Sequence, residues 1–165
     1  MHLVLLTLLL GTICGPLYSI EISEEIRELH KRVLVLDSHL DTPIRLAMPG
    51  FDITERHEHP ADQSQVDLPR MLEGGLDGGF WVIYTSQGEL TEAAYAAVKK
   101  SAFRTGNLIR KMVTDHPNEF SLALSADDAK RIADNGKISV YMSIENAYPI
   151  GTNLSVLDEF YAMGV

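Results

Sequence analysis

The sequence predicts an α/β fold built on a parallel sheet, and three observations lead there. Four short runs rich in β-branched, leucine or aromatic residues, at 33–36, 80–84, 120–124 and 138–144, have the character of buried strands. Between them lie segments whose apolar residues recur at helical spacing. Those segments open on capping residues, Ser23, Asp67, Thr91 and Ser125. Strands alternating with helices need crossover connections, which give a parallel sheet. With 165 residues the chain is long enough for one domain with a real core.

The N-terminus stands apart from this pattern. Leu3 to Ile13 is almost wholly apolar and is followed by Cys14, Gly15 and Pro16. The run is shorter than the ~20 apolar residues of a membrane-crossing helix and has the character of a secretory signal core. Residues 1–19 are assigned to a signal peptide, with Gly15 or Ser19 before the cut, and 20–165 to the mature chain. The expected destination is export: secreted, periplasmic or membrane-associated. An uncleaved anchor is the alternative.

The first helix starts at Ser23, with Glu24 and Glu25 in its first turn and Ile22, Ile26 and Leu29 as its apolar face. The first strand, Val33–Leu36, stops at Asp37. Pro43 to Gln65, broken by prolines and Gly50, is expected to be a long loop, a length that in compact domains signals function or mobility. It carries His57-Glu58-His59, for which no rigid support is visible, so no metal is assigned there. Asp67 caps a short helix ending near Leu72. The glycine-rich Gly74–Gly79 lacks the Lys-Ser/Thr ending of a phosphate loop and leads into a strand, so tight turning explains it. The second strand ends at Tyr84. Thr91 caps a helix running to about Val113, His116-Pro117-Asn118 turns the chain, and a third short strand follows. Ser125 with Asp127 and Asp128 starts a helix that ends at Asn135-Gly136. The fourth strand runs straight into Glu145, and the last helix spans 154–163.

A net charge of −9 with no basic cluster excludes a nucleic-acid partner. Cys14 is the only cysteine and falls within the signal, so the mature chain has no disulfide framework and no thiolate ligand. Any metal must be held by His, Asp and Glu.

In parallel α/β folds, sites collect beyond the C-terminal ends of the strands. His39 and Asp41 follow the first strand two positions apart, so an extended backbone sends both side chains the same way. An imidazole and a carboxylate converging there make a half-site for a divalent ion. Glu145 sits at the matching end of the fourth strand and Tyr84 at that of the second. Each has a plainer reading: His39 as a core histidine, Asp41 as a turn residue, Glu145 as a helix cap. On one rim of one sheet they form a workable two-metal hydrolase plan.

Leu36-Asp37-Ser38-His39-Leu40-Asp41, Val66–Arg70 through Gly79–Thr85, and Gly136–Ile138 through Ser143–Ile150 with Leu154–Leu157 together resemble the membrane, or renal-type, dipeptidases. These are zinc peptidases among the amidohydrolase-like barrels. The resemblance runs over nearly everything after the signal. It implies an incomplete (β/α)8 TIM-type barrel of the metallo-dependent hydrolase kind, with about the first four strands present. It implies that His39 and Asp41 bind one zinc ion, that Glu145 bridges to a second, and that Tyr84 lies in the substrate pocket. It further implies hydrolysis of dipeptides by a zinc-bound hydroxide, and leaves open membrane association and a homodimer of the complete enzyme. Family members are about twice this length, and the second-site histidines and the catalytic acid come later in them. The chain is therefore expected to be an N-terminal fragment whose first and fourth strands present unpaired edges. Two further readings remain: a non-catalytic secreted or membrane-associated binding fragment, and a related amidohydrolase acting on another amide or lactone.

Overall fold

A computed structural model describes residues 22–165. The signal assigned to 1–19 and Cys14 lie outside the described residues. The order is α1 (Glu24–His30), β1 (Leu36–Leu40), α2 (Pro43–Leu46), α3 (His59–Asp62), α4 (Leu68–Gly74), β2 (Gly78–Ile83), α5 (Glu92–Asp115), β3 (Phe120–Leu122), α6 (Ala126–Ala133), β4 (Ile138–Ile144), a 3-10 turn (Tyr148–Ile150) and α7 (Val156–Met163). All pairings in the sheet are parallel, as expected.

The strand order is β1-β2-β4-β3. This corrects the expected succession, because barrel strands lie side by side in chain order. β2 pairs with β4 through six consecutive residues, Gly78–Ile83 against 139–144. A three-residue strand inserted between them would leave much of both backbones without partners. β3 therefore pairs on the far side of β4, along residues 138–140 only. The edge strands are β1 and β3, and β3 covers the first half of the β4 edge that was expected to be bare.

The caps hold as read. The Asp67 carboxylate accepts from the Arg70 N–H at 2.9 Å, the Thr91 hydroxyl from the Ala94 N–H at 3.3 Å, and Ser125 with Asp128 forms a reciprocal capping box. The core packs between the sheet and α5, with Trp81, Ile83, Val140 and Met142 from the strands against Ile109 and Phe160. Gly106, in mid-helix, admits α7: a Cβ there would lie 2.3 Å from Met163 Sδ. Gly78 and Gly79 belong to β2 rather than to a turn, and a Cβ on Gly78 would lie 2.4 Å from the Ser139 carbonyl oxygen. On the opposite face of the sheet Phe80 stacks on Tyr141 at 5.0 Å and stays partly exposed. The apolar face of α1 is uncovered among the described residues: Ile22, Ile26 and Leu29 are all exposed.

Two expected boundaries move, with consequences for the site. β1 begins at Leu36, not Val33, so His39 lies inside the strand. The expected loop 43–65 contains α2 and α3, each started by a proline in its first turn. No helix among the described residues is long and apolar enough to cross a membrane.

Candidate metal centre

Asp37, within β1, starts the arrangement. Its Oδ1 accepts the His39 N–H at 2.7 Å, and the pairing of β1 with β2 slips by one residue between Asp37 and Leu40. This β-bulge re-aims the strand where its side chains must leave the sheet. His39 and Asp41 then converge, with Nε2 3.4 Å from Asp41 Oδ1. Glu145 reaches the same point from β4, its Oε2 3.6 Å from that nitrogen. β2 lies between the two strands, so the meeting takes place above the β2 end, where Tyr84 stands half exposed.

Glu145 is held at both ends of its peptide. Its N–H reaches the Ile83 carbonyl at 3.3 Å, prolonging the β2–β4 ladder by one residue. The following Asn146 donates from Nδ2 to the Thr85 carbonyl at 2.8 Å and accepts the Tyr148 N–H at 3.0 Å. Asn146 thus ties the end of β4 to the end of β2. The role of Asn146 could not be read beforehand, because it depends on which strands are neighbours; the Asp37 contact is local, two residues along the chain.

The ligand atoms of His39, Asp41 and Glu145 all lie within 4.8 Å of one another, and all three residues are exposed. A tetrahedral ion about 2.1 Å from each ligand separates its ligand atoms by roughly 3.4 Å. The two distances from His39 Nε2 match that spacing. One nitrogen and two carboxylate oxygens, with no sulfur, suit zinc or a harder divalent ion. The residues present therefore fit a metal, which would also offset the repulsion between the carboxylates.

They floor a cleft of about 520 Å³. Much of its wall comes from 42–66, through Thr42, Arg45, Gln63, Ser64 and Gln65. The wall was legible only as a long loop. His57 and His59 do not join the cluster, and His116 caps α5 against Phe120. The expectation that nothing rigid holds His57 fails, however. Its ring is largely buried, stacked on Phe51 at 4.3 Å, and hydrogen-bonded through both nitrogens.

Behind the wall Asp67 is fully buried. Burial by itself would raise its pKa. The His57 N–H at 2.8 Å, the Arg70 N–H and the Arg70 guanidinium at 2.7 Å outweigh that and hold the carboxyl below the usual range. Asp52 is lowered by the Thr54 hydroxyl and N–H. Both carboxylates serve the wall, not the cleft.

Residues 23–165 match the family model of membrane dipeptidases, peptidase family M19. A curated relative, the dipeptidase ataJ of Aspergillus terreus, is 27% identical over 144 residues, which cover 84% of this chain and 35% of that protein. The crystal structure of the probable dipeptidase PvdM from Pseudomonas aeruginosa superposes with a TM-score of 0.74 at 30% identity, over 86% of this chain and 35% of the other. A metallopeptidase from Rhodobacter sphaeroides, solved with a phosphinate mimic of the dipeptide L-Ala-D-Ala, superposes at 0.66 with 25% identity, over 81% and 44%. The chain spans about a third of the length of the curated relatives it matches, less than the half expected from the sequence. These neighbours are M19 dipeptidases, whose fold is a TIM-type barrel, and the parallel sheet with its helix alternation is consistent with an incomplete one. The chain belongs to the membrane dipeptidase family, peptidase family M19.

Proposed function

We propose that the chain contributes a metal-dependent dipeptidase activity, as part of the complete enzyme. The observation that carries this is the convergence of one imidazole and two carboxylates on the cleft floor. His39 and Asp41 would hold one zinc ion, and Glu145, with two oxygens, would be shared with a second. When bound, zinc supplies Lewis-acid polarisation of the scissile carbonyl and a water that ionises near neutral pH.

The chain's own residues then orient the substrate. Tyr84 offers a phenol in the same cleft as the ligands, and the 42–66 wall offers amide and hydroxyl groups. The cleft volume suits a small, polar, peptide-sized molecule. The mimic bound to the Rhodobacter sphaeroides relative supports a dipeptide, including one with a D-residue at its C-terminal side. Export belongs to the same proposal, supported by the Leu3–Ile13 run. So do association with a membrane and a homodimer of the complete enzyme.

The test is release of free alanine from L-Ala-L-Ala and L-Ala-D-Ala by the zinc-loaded enzyme. Release that stops on chelation, returns with zinc and is lost in Glu145→Gln is the expected result. A zinc-replete enzyme that hydrolyses neither dipeptide would overturn the proposal.

A further inference from the structure

The His57 ring faces two groups that can only accept. Nδ1 lies 2.6 Å from Asp62 Oδ2, a carboxylate, and Nε2 lies 2.7 Å from the Asp52 carbonyl oxygen. A neutral imidazole has one N–H and can satisfy one of them; two donors require the imidazolium. The ring also lies flat on Phe51, at 4.3 Å and 20° between planes, an arrangement that favours a cation.

The surrounding charges agree. Asp52 precedes α3, Asp62 ends it, and Asp67, the cap of α4, is neutralised by Arg70. Arg45 of α2 is the further cation near Asp62, and His116 at the end of α5 lies near Asp52. Burial alone would push His57 down. The Asp52 carbonyl and the Asp62 carboxylate outweigh it and hold the ring above the ordinary imidazole value.

The same carboxylate leads into the cleft. Asp62 Oδ1 accepts the Ser64 N–H at 2.7 Å. Between them Gln63 adopts φ 59°, the one non-glycine left-handed residue among those described. That conformation persists only where its surroundings enforce it. Gln63, Ser64 and Gln65 all line the cleft. A chain of direct contacts therefore runs from the His57 ring through Asp62 to the cleft wall.

We propose that His57 is a positioning residue: held as an imidazolium between Asp62 and the Asp52 carbonyl, it locks the Gln63–Gln65 wall, and loss of its proton loosens that wall. The proposal goes beyond the hydrolytic reading and does not depend on it, since no metal ligand takes part.

The test is a titration of the 165-residue chain followed by NMR, from about pH 5 to about pH 9. The His57 ring nitrogens report protonation, and exchange protection of the Ser64 N–H, corrected for intrinsic exchange, reports the wall. The expected result is a doubly protonated ring at pH 6.5, and protection that falls at least about tenfold as the ring titrates. Asp62→Asn keeps an acceptor but removes the charge, so both transitions should move together to lower pH. The Arg70 N–H, bonded to Asp67, should stay protected throughout. A ring neutral at pH 6.5 would overturn the proposal. So would protection that ignores the ring's titration, or that fails to follow it in Asp62→Asn. Each readout is independent of dipeptide hydrolysis, so failure here is distinguishable from failure of the functional proposal.

Discussion

The cleft has two sides that use the same residue types for opposite purposes. On its floor, His39, Asp41 and Glu145 stand exposed, with the two carboxylates 3.4 and 3.6 Å from His39 Nε2, too far for strong hydrogen bonds. Behind its wall, His57, Asp62 and Asp67 are consumed by internal bonds of 2.6–2.8 Å. The difference teaches how to separate a binding site from a structural network. Groups that await an external ion keep their lone pairs free and their distances long. Groups that hold the chain spend them on each other, and burial makes each loss costly.

This contrast can be broken most severely at the floor. His39→Ala removes the only nitrogen ligand of this cluster among the described residues, and zinc affinity should fall by more than about 100-fold, since even loss of an outer-shell partner costs 10–100-fold. Folding stability should hardly change, because the side chain is exposed and packs little. Chelator competition and urea unfolding on one preparation read both quantities.

The wall should behave in reverse. Asp67→Ala leaves the His57 N–H and the Arg70 guanidinium without their acceptor, and should cost about 2–4 kcal/mol in urea unfolding with zinc affinity unchanged within about twofold. A comparable loss of zinc in this variant would erase the distinction between the two sides.

The dependence of stability on pH sharpens the same contrast. Asp52, Asp62 and Asp67 have lowered pKa values in the fold, so the folded state binds fewer protons. Their contribution is complete above about pH 4–5 and is lost as pH falls through the folded values. His57 is raised, so its contribution is complete below the ordinary imidazole value of about 6.5 and is lost as pH rises through the folded value. Thermal unfolding should therefore show a plateau between these limits. His57→Gln should flatten the alkaline limb and soften the acid limb only in part, because Asp62 loses its imidazolium partner while Asp67 keeps Arg70.

The smallest effect is expected at Tyr84. Tyr84→Phe removes a hydroxyl that accepts from the Ser86 hydroxyl at 3.5 Å, at the limit of a hydrogen bond. Stability should stay within about 0.5 kcal/mol and zinc affinity within about twofold. A weakened KM for dipeptides with both of these unchanged is the signature of a substrate contact.

The floor was readable in the sequence because its chemistry is carried by residue types at the ends of apolar runs. His39, Asp41 and Glu145 needed only a strand assignment and the rule that sites gather beyond strand termini. The caps at Asp67, Thr91 and Ser125 were equally local. What could not be read depends on partners distant in the chain. The bulge at Asp37 exists only against Gly79 and Trp81 of β2, and Asn146 acts only through Thr85. The position of β3 outside β4 was hidden because pairing length, not chain order, decides it. The wall was hidden for another reason: its order comes from polar bonds among Asp52, His57 and Asp62, which carry no hydrophobic periodicity.

Whether His39, Asp41 and Glu145 hold a metal on the rim of this sheet is tested most directly by elemental analysis of the purified 20–165 segment, run beside a His39→Ala/Asp41→Ala double variant after equal exposure to zinc and dialysis. About one zinc per chain in the wild type, and none above background in the variant, is the result predicted. Equal zinc content in the two proteins, high or negligible, would contradict it.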